Sequence, residues 1–110
     1  MKPVRFMGSA KDDLAAFPKS ARVRAGHELF MVQVGREPDD WRSMSAIGPG
    51  ACEIRVRDAT GTFRVIYVAK FADAVYVLHA FQKQTRRTAP ADLELARRRY
   101  RDARGIAQGE

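Results

Sequence analysis

Cysteine is almost missing from this 110-residue sequence: Cys52 stands alone, so no internal disulfide forms and no cysteine cluster holds a metal. Its place in an apolar register predicts burial. Histidine is nearly as scarce. His27 and His79 lie far apart on different predicted elements, and no ligand spacing of a metal site accompanies them. Nucleotide-cradling glycine loops and nucleophile motifs are missing too, which removes the usual hydrolase chemistries and leaves no metal or cofactor to expect. No apolar run approaches the roughly 18 to 20 residues of a membrane span. The amino terminus, MKPVRFMGSAKDD, reaches charge too soon for a signal peptide. A cytoplasmic chain without membrane contact is the expectation.

What the sequence has in excess is base. Lysine and arginine number 20 against 13 acids, giving a net charge of +7, and the isoelectric point is about 10.2. That balance in a small chain points to a polyanionic partner. The excess is concentrated: residues 82–104 carry eight bases and three acids, whereas residues 1–50 have a net charge of +2 and residues 51–81 of +1. With 45% hydrophobic residues the chain is globular. Residues 1–110 make one domain, with 105–110 expected as a frayed tail.

The organising stretch runs from Cys52 to Lys83 and reads as a three-stranded antiparallel meander. Cys52, Ile54 and Val56 alternate with Glu53, Arg55 and Arg57, the period of a strand with one buried and one wet face. Asp58-Ala59-Thr60-Gly61 is a hairpin turn, Thr62 to Lys70 the second strand, and Ala74 to Phe81 a third, apolar on both faces and therefore central. Before the meander, Lys2 to Met7 suits an edge strand. Ser9 and Asp12 fit a capping box for a short helix ending near Phe17. A second helix runs from Pro18 to Val34 with Ala21, Ala25, Leu29 and Val32 on one face, Gly26 offering close approach and Gly35 stopping it. Residues 36–50 show no period and read as loop, with Trp41 either a contact residue or a seal on the core. Pro90 opens a third helix whose apolar stripe is Leu93, Ala96, Tyr100 and Ala103, with Gly105 its expected end. The order predicts an α+β domain: an N-terminal edge strand and meander in an antiparallel-type sheet, a helical hairpin on one face and a C-terminal helix, with the helices together on one side.

Arg55, Arg57, Arg64, Lys83, Arg86 and Arg87 are the set this arrangement brings together on the sheet face opposite the helices or at its rim, a surface for phosphate. RNA cleavage suits such a surface, because the 2'-hydroxyl can attack the adjacent phosphodiester and the protein then orients it, stabilises the phosphorane and protonates the leaving oxygen. A lysine depressed by the cations Arg86 and Arg87 makes Lys83 a candidate acid or base. His79, expected to share parity with Val75, Val77, Phe81 and Lys83, is another. His27 suits a surface or capping role.

These residues carry a resemblance. Glu53-Ile54-Arg55-Val56, Phe63-Arg64-Val65-Ile66-Tyr67 and above all Val77 to Lys83 followed by Thr85-Arg86-Arg87-Thr88 are similar to the RelE/ParE toxin superfamily, in its HigB-like, phage-derived Gp49-like branch. Gly26-His27-Glu28-Leu29 and Ala96-Arg97-Arg98-Arg99 resemble further motifs of that branch. Thr88-Ala89-Pro90 is one residue longer than its usual Thr-Pro. The resemblance implies a RelE-like fold and the toxin of a type II toxin-antitoxin system, a ribosome-dependent mRNA endonuclease (mRNA interferase) acting on mRNA at the ribosome and held inactive by a helix-turn-helix, HigA-like antitoxin. It implies a catalytic face of Arg55, Arg64 and Lys83 with His79 in proton transfer and Arg57 and Arg86 beside them; Arg57, Arg86, Arg87, Arg97 and Arg98 together are the basic surface expected to bind RNA. A gyrase-poisoning ParE-like toxin and a non-toxic phage-derived binding protein are the alternatives. Tyr100, on the helix stripe, is expected in the core rather than at the site.

Overall fold

The computed structural model describes residues 1–109; Glu110, part of the tail expected to fray, lies outside the described residues. Strand β1 (Val4–Phe6) leads into helix α1 (Ala10–Ala15) and helix α2 (Lys19–Gln33), then β2 (Trp41–Ser43), β3 (Ala51–Asp58), β4 (Gly61–Val68), β5 (Val75–Gln82) and helix α3 (Pro90–Ala107). The architecture is α+β. The five strands lie in the order β1-β5-β4-β3-β2. Pairing is antiparallel from β2 to β5, while β1 pairs in parallel with β5, so the sheet is mixed.

Local chemistry explains most of these elements. In the β3–β4 turn Asp58 stands opposite Gly61, and its side chain accepts from the Thr60 amide at 2.8 Å, an Asx turn that leaves two residues at the tip. Gly61, at φ +141°, takes a conformation side chains avoid. Gly35, at φ +84°, closes α2. Ser9 precedes α1 without forming the expected capping box: its hydroxyl donates to Asp13 at 2.7 Å and accepts from Arg99 at 3.0 Å. Gly105 does not end α3, which continues to Ala107 because its stripe still packs there.

The helices occupy both faces of the sheet, not one. On one side Ala21, Ala25 and Leu29 of α2 pack with Ile54, Val56, Phe63, Val65, Val75 and Val77. On the other, Ala96, Tyr100 and Ala103 of α3 cover Ile66, Val68, Tyr76 and Leu78. Strands β4 and β5 are thus buried on both faces, which is why they read as unbroken apolar runs. A register shift between β4 and β5 faces Ile66 with His79 and Tyr67 with Val77. It brings His79 to the α3 side, out of the parity with Val75 and Val77 that strict alternation predicts. Residues 36–50 are not wholly loop: Trp41–Ser43 pairs with β3 as an edge strand, exposed at all three positions.

Gly26 has nothing within 4 Å of a built Cβ, so the close approach expected there does not occur; at Gly48 a Cβ would meet the Tyr100 ring at 2.6 Å. Tyr100 is buried, and its hydroxyl donates to the Pro49 carbonyl at 2.5 Å, so the ring cannot yield. Gly48→Ala is therefore expected to cost about 1–3 kcal/mol in urea unfolding, while Gly26→Ala in the same assay adds about 0.5–1 kcal/mol by removing helix-interior glycine. The opposite order would contradict this packing.

Candidate functional site

Strand alternation sends Ile54 and Val56 to the α2 side and leaves Glu53, Arg55 and Arg57 on the α3 side. Cross-strand pairing then sets Arg55 opposite Arg64 and Glu53 opposite both Ile66 and Arg42. The expected wet face is not wet at Glu53, whose side chain is completely buried. A naked carboxylate there would cost several kcal/mol of solvation; it is instead ringed by cations. Arg64, 3% exposed, donates to its Oε1 in a direct ion pair. Arg42 Nε reaches the same oxygen at 3.2 Å and Arg55 Nε stands 3.8 Å from it, while Thr88, just before α3, donates to Oε2 at 3.3 Å.

One buried carboxylate does not balance this ring. Asp40, half-exposed, lies 4.0 Å from Arg55, and among the described residues Nε of both Arg55 and Arg64 lacks a hydrogen-bond partner. Lys83 adds a further cation at the end of β5, where its amide donates to the Thr62 carbonyl at 2.8 Å. Its ammonium is held below the ordinary lysine range, first by desolvation, then by repulsion from Arg64, with Arg55 and Arg42 adding and Glu53 opposing. Arg86 and Arg87, expected to cause that depression, are exposed and do not; the cations that do lie beneath Lys83 on the sheet.

His79 is 6% exposed, its Nε2 sits 2.7 Å from Asp92 in the first turn of α3, and its ring stacks on Phe81 at 4.7 Å with planes 21° apart. Nδ1 is buried without a partner among the described residues. Arg57 is exposed at the far end of the same β3 face, opposite Thr62. Arg97 is held by the Ala46 carbonyl at 2.8 Å and by Glu94 at 3.6 Å, and Arg98 is exposed two positions after the buried Ala96, on the solvent side of α3. Among the described residues neither forms a hydrogen bond or ion pair with the Glu53 ring. The fold thus draws Arg55, Arg64 and Lys83 together, places His79 beside α3, and leaves the other arginines around the margin.

Sequence reasoning missed Glu53, Arg42 and Thr88 as parts of the site. Glu53 did carry a signal, sharing strand parity with Arg55 and Arg57. Arg42 had none, because nothing in Trp41-Arg42-Ser43 alternates.

Removing Arg64 leaves Glu53 short of its closest partner in a dry environment, so Arg64→Ala is expected to lower unfolding free energy by about 3–5 kcal/mol, and the double variant Glu53→Gln/Arg64→Met to recover most of that loss. An Arg64→Ala protein within about 1 kcal/mol of the parent in urea would remove the ion pair from its central place. For Lys83 the sign runs the other way from a salt-bridged lysine: its folded-state pKa lies below the unfolded value, so the group disfavours folding below that folded pKa, and the penalty fades as pH rises toward the unfolded lysine range. The lowered pKa should make Lys83 acetylate faster in alkaline buffer than exposed Lys11 and Lys19, read by mass spectrometry after brief anhydride labelling. Equal or slower labelling would contradict the depression.

The described helices include none long and apolar enough to cross a membrane. No curated protein matches the chain. The family described as phage derived protein Gp49-like matches residues 12–101, from within α1 to within α3, a span that takes in Arg42, Glu53, Arg55, Arg64, His79, Lys83 and Thr88 and leaves out β1. By that match the chain belongs to the phage-derived Gp49-like family.

Proposed function

We propose that the chain is the toxin of a type II toxin-antitoxin pair, acting in the cytoplasm as a ribosome-dependent mRNA endonuclease and restrained by a helix-turn-helix antitoxin. The observation that carries this reading is the ring of cations on buried Glu53, which presents more positive charge than its carboxylates neutralise. A phosphodiester is the ligand such an excess suits. Arginine guanidinium groups match phosphate oxygens in geometry as well as charge.

In this reading the 2'-hydroxyl of the RNA gives its proton to solvent water and its oxygen attacks the adjacent phosphorus, the 5'-oxygen leaves, and the products end in a 2',3'-cyclic phosphate and a 5'-hydroxyl. Arg55 and Arg42, with side chains 23% and 45% exposed, hold the non-bridging oxygens and stabilise the charge that develops on them. Arg64 is nearly closed to solvent and works from beneath, neutralising Glu53 so that the outer arginines remain free for the phosphate. Lys83, partly exposed and with a lowered pKa, gives its proton to the leaving oxygen. His79 is almost enclosed between Asp92 and Phe81, so its part is to hold the first turn of α3 and the end of β5 in register. Exposed Arg57, Arg86 and Arg87 follow the RNA backbone to either side, and Arg98 extends the basic surface along α3.

Inducing the protein is expected to stop translation and to leave mRNA cut within codons, with 5'-hydroxyl ends that disappear when initiation is blocked. Lys83→Ala and Arg55→Ala, at positions open enough to keep the fold, should each reduce cleavage by about 10²-fold or more. Growth arrest with intact mRNA would overturn the reading.

A further inference from the structure

Helix α2 is apolar on two opposite faces. Ala21, Ala25, Leu29 and Val32 are buried against the sheet, yet Val23, Phe30 and Val34 are 61%, 46% and 42% exposed. Their spacing of seven and four residues stacks them in one stripe on the far side of the helix. Gly26, with open space around it, adds no side chain to obstruct that stripe. Just beyond Val34 the surface dips into a groove of about 300 Å³ lined by Val32, Trp41, Tyr67, Arg36, Glu37 and Lys70. An exposed apolar stripe leading into a groove is what an incoming helix covers.

Charge selects the occupant. The exposed charges of α2 are all basic, Lys19, Arg22 and Arg24, since its single acid, Glu28, is buried and accepts from the Asp39 amide at 2.6 Å. Arg24 is paired with Asp39 at 3.3 Å. Asp58, at the start of the helix, is taken up by Ser20 and Thr60. Lys19, Arg22 and, beyond the helix, Arg36 have no carboxylate at ion-pair distance among the described residues. A second copy of the chain would bring an α2 with no exposed carboxylate to meet these cations. A nucleic acid would satisfy the cations and leave the stripe uncovered.

We propose that the outward face of α2 docks an amphipathic helix of a partner protein, whose apolar stripe covers Val23, Phe30 and Val34 and whose acidic flanks meet Lys19, Arg22 and Arg36. The groove takes one large apolar side chain from the end of that helix. This surface lies on the α2 side of the sheet and the Glu53 ring on the α3 side, so a docked helix leaves Arg55 and Lys83 open. The proposal does not rest on the ribonuclease reading.

Fluorescence anisotropy tests it with a panel of labelled helical peptides of about five turns, carrying leucine or phenylalanine stripes and glutamate flanks, and the same peptides with lysine flanks. The full chain is expected to bind at least one glutamate-flanked peptide about tenfold or more tightly than its lysine-flanked twin. Phe30→Glu should lose that binding about tenfold or more with an unchanged thermal midpoint, and a short RNA should not compete. Binding by no member of the panel overturns the proposal, as does binding that survives Phe30→Glu. Self-association in sedimentation, or binding to phosphatidylglycerol vesicles, that disappears with Phe30→Glu also overturns it, naming a second copy or a membrane surface as the occupant.

Discussion

The ion pair between Glu53 and Arg64 is the constraint on which the functional side of this fold depends. Both side chains are withdrawn from water, and an isolated charge in either place would be expensive, so each requires the other. Glu53 then draws in what surrounds it: Arg42 from the edge strand, Arg55 from its own strand and Thr88 from the approach to α3. With Arg64 of β4, three segments outside β3 are fixed to one carboxylate: β2, β4 and the approach to α3. A pair of apolar side chains would fill the same space at lower cost in solvation, but would give β2 and the α3 approach no common anchor and leave the outer cations without a base to sit on.

That arrangement requires the sheet to be covered unequally. Helix α3 lies over Ile66, Val68, Tyr76 and Leu78 and seals one half of its face, and its first turn ends beside the ring through Asp92 and His79. The register shift in β5 serves the same end, because strict alternation would send His79 toward α1 and α2. On the other face the hairpin of α1 and α2 closes a largely apolar core, with Glu28 its buried acid. One side of the sheet is thus built for stability and the other for charge, and α2 keeps an unburied stripe on its outer surface.

Much of this was legible in the residues. Period-two alternation from Cys52 to Arg57, the Asp58 to Gly61 turn and the stripe of Ala21, Ala25, Leu29 and Val32 are local signals, and the elements follow them closely. The apolar run in β5 announced burial on both faces, yet its consequence, a helix on each side, depends on which distant segment supplies the second layer. Strand β2 has no alternation to read and forms only because β3 offers it an edge. For Glu53, parity predicts a face and not its solvation: neutralisation by Arg64, 11 residues away, converts a wet position into a buried one. Lys83 follows the same logic, since its cationic neighbours lie across the sheet and not along the chain.

The central claim is that Glu53 and Arg64 hold Arg55 and Arg42 in readiness for phosphate. NMR of the arginine side-chain N–H groups, titrated with a short RNA whose 2'-hydroxyl is removed at the cleaved position, tests it most directly. The account predicts that the Arg55 and Arg42 signals move together and saturably while the Arg64 signal stays close to its free position. Saturable shifts confined to Arg57, Arg86 and Arg87, with Arg55 and Arg42 unmoved, would contradict it.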